Sequence, residues 1–154
     1  METIISHKNI LSDLMPKLID IVNSQKQGRL GMSGDTAYAF SRNHKQCLST
    51  MKNYQTFHTK QMEKHCKFKE DGKTPDQTAD GKLIFKDQTA DELFMEAMTE
   101  YENTQDDFTP YQIFIDDIKA IGNFPIEAIG VLEDFGIISS IPIEKNKIVS
   151  LHAN

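Results

Sequence analysis

The residues with the most chemistry in them run from Asp76 through Thr78, Asp80, Gly81 and Leu83 to Asp87. Laid on the calcium-loop pattern, they put oxygen donors at positions 1, 3 and 5, glycine at 6, an aliphatic residue at 8 and a carboxylate at 12. A hard cation wants several oxygens, and the glycine permits the sharp bend. Position 12 is Asp87, however, shorter than the glutamate that grips such an ion with both oxygens. Position 9 is Ile84, and no second loop pairs with this one. A turn rich in Asp and Gly accounts for the string, and calcium binding no tighter than millimolar is expected.

Other donors are placed less favourably. His44 and Cys47 stand one helical turn apart, but His58 would lie about 21 Å further along the same helix. His65 and Cys66 are neighbours that point about 100° apart, which also weakens a Cys/His nucleophile pair. His7 and His152 lie near the termini. Gly28-Arg29-Leu30-Gly31 matches the GXXG string that clamps RNA in KH domains. Glycines also belong between two helices, and the Gly-Lys-Ser/Thr ending of a phosphate loop is missing. Carboxylates over 87–117 read as a solvated helix face rather than an acid/base pair. No catalytic residue, metal or cofactor is assigned.

Charge is distributed unevenly around a net −6. Residues 41–73 carry eight basic side chains against Glu63, Glu70 and Asp71. Residues 87–144 carry fourteen acidic ones against Lys119 alone. The basic block offers Arg42, Lys45, Lys52, Lys67 and Lys69 as candidate nucleic-acid contacts, interleaved with Tyr54, Phe57 and Phe68. In the competing reading the two blocks neutralise each other inside one fold.

The elements that must position these groups follow from apolar spacing. Ile10, Leu11, Leu14, Met15, Leu18, Ile19 and Val22 mark an amphipathic helix from His7 to about Gln25, kinked or started at Pro16. A second helix is expected from Ser33 or Asp35 to near Phe68. Its stripe is Phe40, His44, Cys47, Met51, Tyr54, His58, Met62 and His65, and its length roughly 50 Å. On it Cys47 is expected to be buried and Cys66 more accessible, too far apart to pair. A third helix starts at the capping box Thr89-Ala90-Asp91-Glu92 and presents Ala90, Leu93, Ala97, Met98 and Tyr101. Two Asp-Gly turns and Leu83-Ile84-Phe85 between the last two predict a β-hairpin or ordered loop. Tyr111–Ile115 reads as a strand, Pro125 and Gly136 bracket a short helix, and 141–151 reads as a terminal hairpin.

The expected architecture is α+β and helix-dominated, one domain over 1–154. It comprises an N-terminal helix and Gly-rich loop (1–30), a long antiparallel helical hairpin (35–105) with its tip at 70–87, and a small α/β tail (108–151). Met51, Tyr54, His58 and Met62 would face Leu93, Ala97, Met98 and Tyr101. Lys52, Lys60 and Lys64 would reach Glu92, Glu96 and Glu100. Leu93 should anchor the hairpin.

The run Ala37-Tyr38-Ala39-Phe40-Ser41-Arg42-Asn43 at the head of a Lys-rich helix, then Asp-Gly turns, Phe85-Lys86-Asp87 and an acidic helix, resembles small bacteriophage-encoded proteins. In these a helical hairpin carries a β-tip. The resemblance implies a phage or prophage origin and no assigned chemistry. The leading expectation is a non-enzymatic protein-interaction module in the cytoplasm. A phage accessory, structural or host-modulating role is included, the partner being another protein. A nucleic-acid-associated protein using the basic helix 41–73 is the alternative, and an unrecognised enzyme comes third. Met1-Glu2-Thr3-Ile4-Ile5 lacks a signal-peptide layout, and no apolar run approaches the ~18 residues that cross a bilayer, so no membrane is expected.

Overall fold

A computed structural model describes residues 4–143, and helix dominates them. Helix α1 (His7–Asn9) passes into a π-helical turn (Ile10–Leu14) and then α2 (Met15–Lys26), with Pro16 in the first turn of α2. The disruption expected at Pro16 takes the form of that wide turn. A proline ring clashes with the carbonyl four residues back in a regular ladder, and a π turn relaxes the ladder just upstream. Ile10, Leu14, Met15, Leu18, Ile21 and Val22 are buried. Gly28, at φ 72°, lets the chain reverse while the Gln27, Gly28 and Arg29 amides return to carbonyls of the last turn.

Helix α3 spans Gly34–His65. Ser33 defines its start, for its Oγ accepts from the Thr36 amide at 3.2 Å. Early in the helix the buried face is Thr36, Ala39, Phe40, Asn43, Cys47 and Thr50. It is turned slightly from the expected stripe, so that Asn43 replaces His44.

Contacts within the chain cluster into two compact units. One is built from residues up to Asn9 and from Ser49–Asp106, the other from Ile10–Leu48 and from Asp107 onward. The second unit holds most of the buried apolar side chains. To those of α2 and early α3 it adds Phe108, Ile113, Ile118, Ile121, Ala128, Leu132, Phe135, Ile137 and Ile138. Its strands β1 (Ile113–Phe114) and β2 (Ile138–Ser139) pair in parallel, Ile113 with Ile138 and Phe114 with Ser139. Between them lie α5 (Ile115–Lys119) and α6 (Ile126–Asp134). The strand expected over Tyr111–Ile115 is thus confined to two residues, and its partner Ile138–Ser139 was not among the expected elements. Strands joined through helices run the same way, whereas a tight turn would make them antiparallel. Pro125 and Gly136 flank α6 as expected, and Gly136 has φ 70°. Most of the terminal hairpin expected over 141–151, residues 144–151, falls outside the described residues.

In the first unit, α4 (Gln88–Asn103) is capped by Asp87, whose Oδ1 accepts from the Ala90 amide at 2.8 Å. The cap therefore lies two residues before Thr89. An aspartate oxygen carries a charge that the helix N-terminus favours, and it outcompetes a threonine hydroxyl. Ala90, Phe94 and Met98 are buried, while Leu93 remains 47% exposed. Leu93 is thus not the anchor expected of it. The adjacent Phe94, about 100° around the helix, packs against Phe85 at 5.2 Å and His58 at 5.5 Å. Tyr101 stacks on Phe57 at 4.3 Å and touches Tyr54 at 6.1 Å. The expected Lys–Glu rim pairs do not form. Among the described residues the ion pairs are His7–Asp106, Lys82–Asp80 and Lys119–Asp116. Exposed long side chains lose rotamer freedom for little gain in such pairs.

The segment joining α3 to α4 makes isolated antiparallel bridges, Cys66 with Phe85, Phe68 with Pro75 and Gln77 with Leu83. Its backbone closes a three-cornered ring. The Lys67 amide donates to Ile84, the Ile84 amide to Asp76, and the Asp76 amide to Lys67, at 2.8, 3.1 and 2.8 Å. Cys66, beside the Lys67 corner and bridged to Phe85, is fully buried, as Cys47 is. The accessibility expected of Cys66 fails because α3 stops at His65 and the chain turns inward under Phe85. Burial also pushes the Cys66 thiol up, which disfavours the reactive thiolate. Alkylation of the native protein near pH 8 should therefore leave both cysteines largely unmodified until denaturant is added. Rapid native labelling of Cys66, followed by mass spectrometry, would count against this packing.

At the Asp71-Gly72 turn, Asp71 Oδ1 accepts from the Lys73 and Thr74 amides at 2.9 Å, and Oδ2 accepts from the Thr74 hydroxyl at 2.6 Å. The Thr74 hydroxyl first, then those amides, hold the carboxyl down at about 2. A depressed carboxylate favours the folded turn at pH values above its ordinary range, and this contribution disappears as pH falls through about 2. An NMR titration should find the Asp71 midpoint well below the ordinary carboxylate range, and Thr74→Val should raise it.

Candidate functional site

Arg42 is the first of the sequence candidates to acquire a structured setting. Four residues separate it from Tyr38 on α3, which places both on one helix face. The guanidinium carbon lies 5.9 Å from the Tyr38 ring centroid and 5.3 Å from that of Tyr111. Arg42 Nη2 donates to the Tyr111 hydroxyl at 3.1 Å, and the two rings meet edge to face at 6.3 Å. Both tyrosines are exposed. That bond, followed by the Tyr111 and Tyr38 hydroxyls, raises the pKa of a side chain that is in any case a permanent cation.

Tyr111 is held in place from below. Asn43, fully buried, donates through Nδ2 to the Tyr111 carbonyl and accepts through Oδ1 from its amide, each at 2.9 Å. One turn along α3, Gln46 does the same for Thr109, donating at 2.7 Å and accepting at 3.0 Å. The two amides imitate an adjacent strand and straighten 109–111 beside the helix. Beside this ladder Arg42, Gln46, Thr109, Pro110 and Tyr111 line an open cleft of about 430 Å³. A cation braced by two rings, over a backbone fixed by four hydrogen bonds, can grip an anion and a flat apolar group together.

The remaining candidates are dispersed. Lys45 is exposed on α3 in the same unit as Arg42. Lys52, Lys67 and Lys69 are exposed in the other unit. The Lys67 backbone is a corner of the three-cornered ring, and Lys69 bonds Thr74. Tyr54 and Phe57 are half-buried and pack on Tyr101, which occupies one face of the Phe57 ring. Spacing within α3 could have suggested Tyr38 with Arg42. Nothing local could have brought in Tyr111, and the polarity of Asn43 and Gln46 argued for solvent.

The residues of the other strings have local partners. Asp87 caps α4, Asp76 Oδ1 accepts from the Gln77 amide, and Asp80 takes the Thr78 hydroxyl and faces Lys82 at 3.6 Å. Arg29 and Leu30 of the GXXG string line an open cleft of about 520 Å³ with Asp20, Ser24, Asn123, Pro125 and Glu127. Two carboxylates there would repel a phosphate chain. His44 is half-buried, and burial first, then Lys26, lowers its pKa. A separate polar cluster ties the N-terminal segment down. Asp106 Oδ2 meets His7 Nδ1 at 2.7 Å and accepts from Thr50 Oγ1 at 3.0 Å, while the His7 ring stacks on Tyr101 at 4.6 Å. The Thr50 hydroxyl and the His7 ring thus share one carboxylate. Among the described residues no three His, Cys, Asp or Glu side chains group as a metal would require. Nor is any described helix long and apolar enough to cross a membrane. Set against protein-family models, curated proteins and solved structures, the chain matches none of them.

Proposed function

We propose that this protein is a non-enzymatic protein-interaction module whose contact surface centres on Tyr38, Arg42 and Tyr111. The observation that carries this reading is the exposed Tyr–Arg–Tyr cluster, fixed by Asn43 beneath it. Tyrosine and arginine are the residues that most often dominate binding energy at interfaces, and a preordered patch loses little entropy on binding. The second half of α3 and α4 are taken to form an antiparallel helical hairpin with a β-like tip, supported by the His58–Phe94 and Phe57–Tyr101 ring contacts. Its layout supports a phage-type accessory, structural or host-modulating protein acting in the cytoplasm. Nucleic-acid association is the second reading, favoured by Lys45 lying one turn from Arg42 beside stackable rings.

Immobilised wild-type chain and a Tyr38→Ala/Tyr111→Ala variant, compared on a bacterial lysate, test the reading. A protein retained by the first and lost by the second, with both equally folded, is expected. Retention that vanishes on nuclease treatment would replace this reading with the second.

A further inference from the structure

Resting on that reading, we propose that the Tyr38–Arg42–Tyr111 surface receives an acidic peptide segment. One of its carboxylates sits on the outer edge of the Arg42 guanidinium, with a neighbouring proline or aromatic side chain in the cleft beside Pro110 and Tyr111. A guanidinium has five N–H donors in a planar fork matched to a carboxylate. The bond found for Arg42 goes to a neutral phenol, and among the described residues no Asp or Glu lies within ion-pair distance of it. In a chain with a net charge of −6, a cation left without a carboxylate while its plane is braced by two rings is set up for an external one.

The size of the cleft, about 430 Å³, suits one or two side chains of an extended segment. Of its lining residues Pro110 and Tyr111 supply a proline ring and an aromatic ring, on which a proline or an aromatic side chain can lie flat. The ordering cost is already met, because Asn43 and Gln46 hold 109–111 in the free protein.

A peptide fits better than a nucleic acid for two reasons. Over its described residues this unit carries nine acidic side chains against six basic ones, so a phosphate chain meets a negative surround where a single carboxylate meets Arg42. The amides that would read base edges, Asn43 and Gln46, are both bonded to backbone.

The chain has no tryptophan, so tyrosine emission reports on Tyr38 and Tyr111 among only four tyrosines. An array of random short peptides, then fluorescein-labelled hits and labelled oligothymidylate in solution, supplies the probes. We expect hits that share one Glu or Asp beside a proline or an aromatic residue. Replacing the acid by its amide, or Arg42 by glutamine, should weaken binding about tenfold or more, the loss of one charge-assisted bidentate contact. Arg42→Lys should restore only part of it, since an ammonium cannot stack. Hits that bind equally well as amides but are lost in Tyr111→Ala would overturn the acidic-peptide proposal and leave the interaction surface standing. Hits indifferent to both Arg42→Gln and Tyr111→Ala would overturn the proposal at this site. Oligothymidylate bound more tightly than any peptide, with a steep salt dependence, would overturn both.

Discussion

Cutting Phe94 back to alanine will cost about 3–5 kcal/mol of stability, whereas Leu93→Ala, one residue earlier, will cost under about 1 kcal/mol. The two side chains are comparably apolar, and only their direction differs. Phe94 is 6% exposed and meets two rings, Phe85 from the bridged segment and His58 from α3. Its removal takes away the contact surface of both rings and leaves a cavity between them. Leu93 already has nearly half of its surface in water. Urea denaturation of the two variants decides the matter. Equal losses, or a larger loss for Leu93, would mean that α4 is rotated by one residue from the phase described here.

Replacing Asn43 by leucine should cost roughly 2–4 kcal/mol although the new side chain is similar in size and more apolar. The asparagine lies fully buried, and its two bonds satisfy both the amide and the carbonyl of Tyr111. Leucine would leave two backbone groups without partners in a space that water reaches poorly, and each such group costs about 1–3 kcal/mol. Gln46→Ala cuts the equivalent pair at the half-exposed end of the ladder, where water can substitute, so its effect should be the smaller of the two. Asn43→Leu should also release Tyr111 from Arg42, visible as a changed Tyr111 ring environment by NMR. A variant as stable as wild type, with that signal unmoved, would show that the clamp is dispensable.

These two positions explain what could be read in advance. Glycines, prolines and Ser33 punctuate the chain strongly, so α2, α3 and α6 were legible to within a few residues. Choosing between Leu93 and Phe94 needs the position of Phe85, set by a bridge to Cys66 that no helical period encodes. The same holds for Asn43. A polar residue on an apolar face reads as an edge, because its partner stands 68 residues away. The parallel pairing of β1 and β2 was hidden as well, since strands of two residues carry no alternation. Of the candidate site only Arg42 was singled out, from charge. Tyr38 one turn away could have been found from spacing, whereas Tyr111 lies 69 residues beyond Arg42.

The way the segments alternate bears on how the protein is made. Residues Ser49–Asp106 separate the two stretches that build the second unit. A chain that has left the ribosome as far as Asp106 already owns every segment of the first unit. Its bridged segment, with partners no more than 21 residues apart, closes cheaply and early. Ile10, Leu18 and Phe40, by contrast, belong to a unit that is complete only once the residues from Asp107 onward are synthesised. Until then the nascent chain carries an uncovered apolar face, and a stop codon just after Asp106 would leave that face uncovered for good.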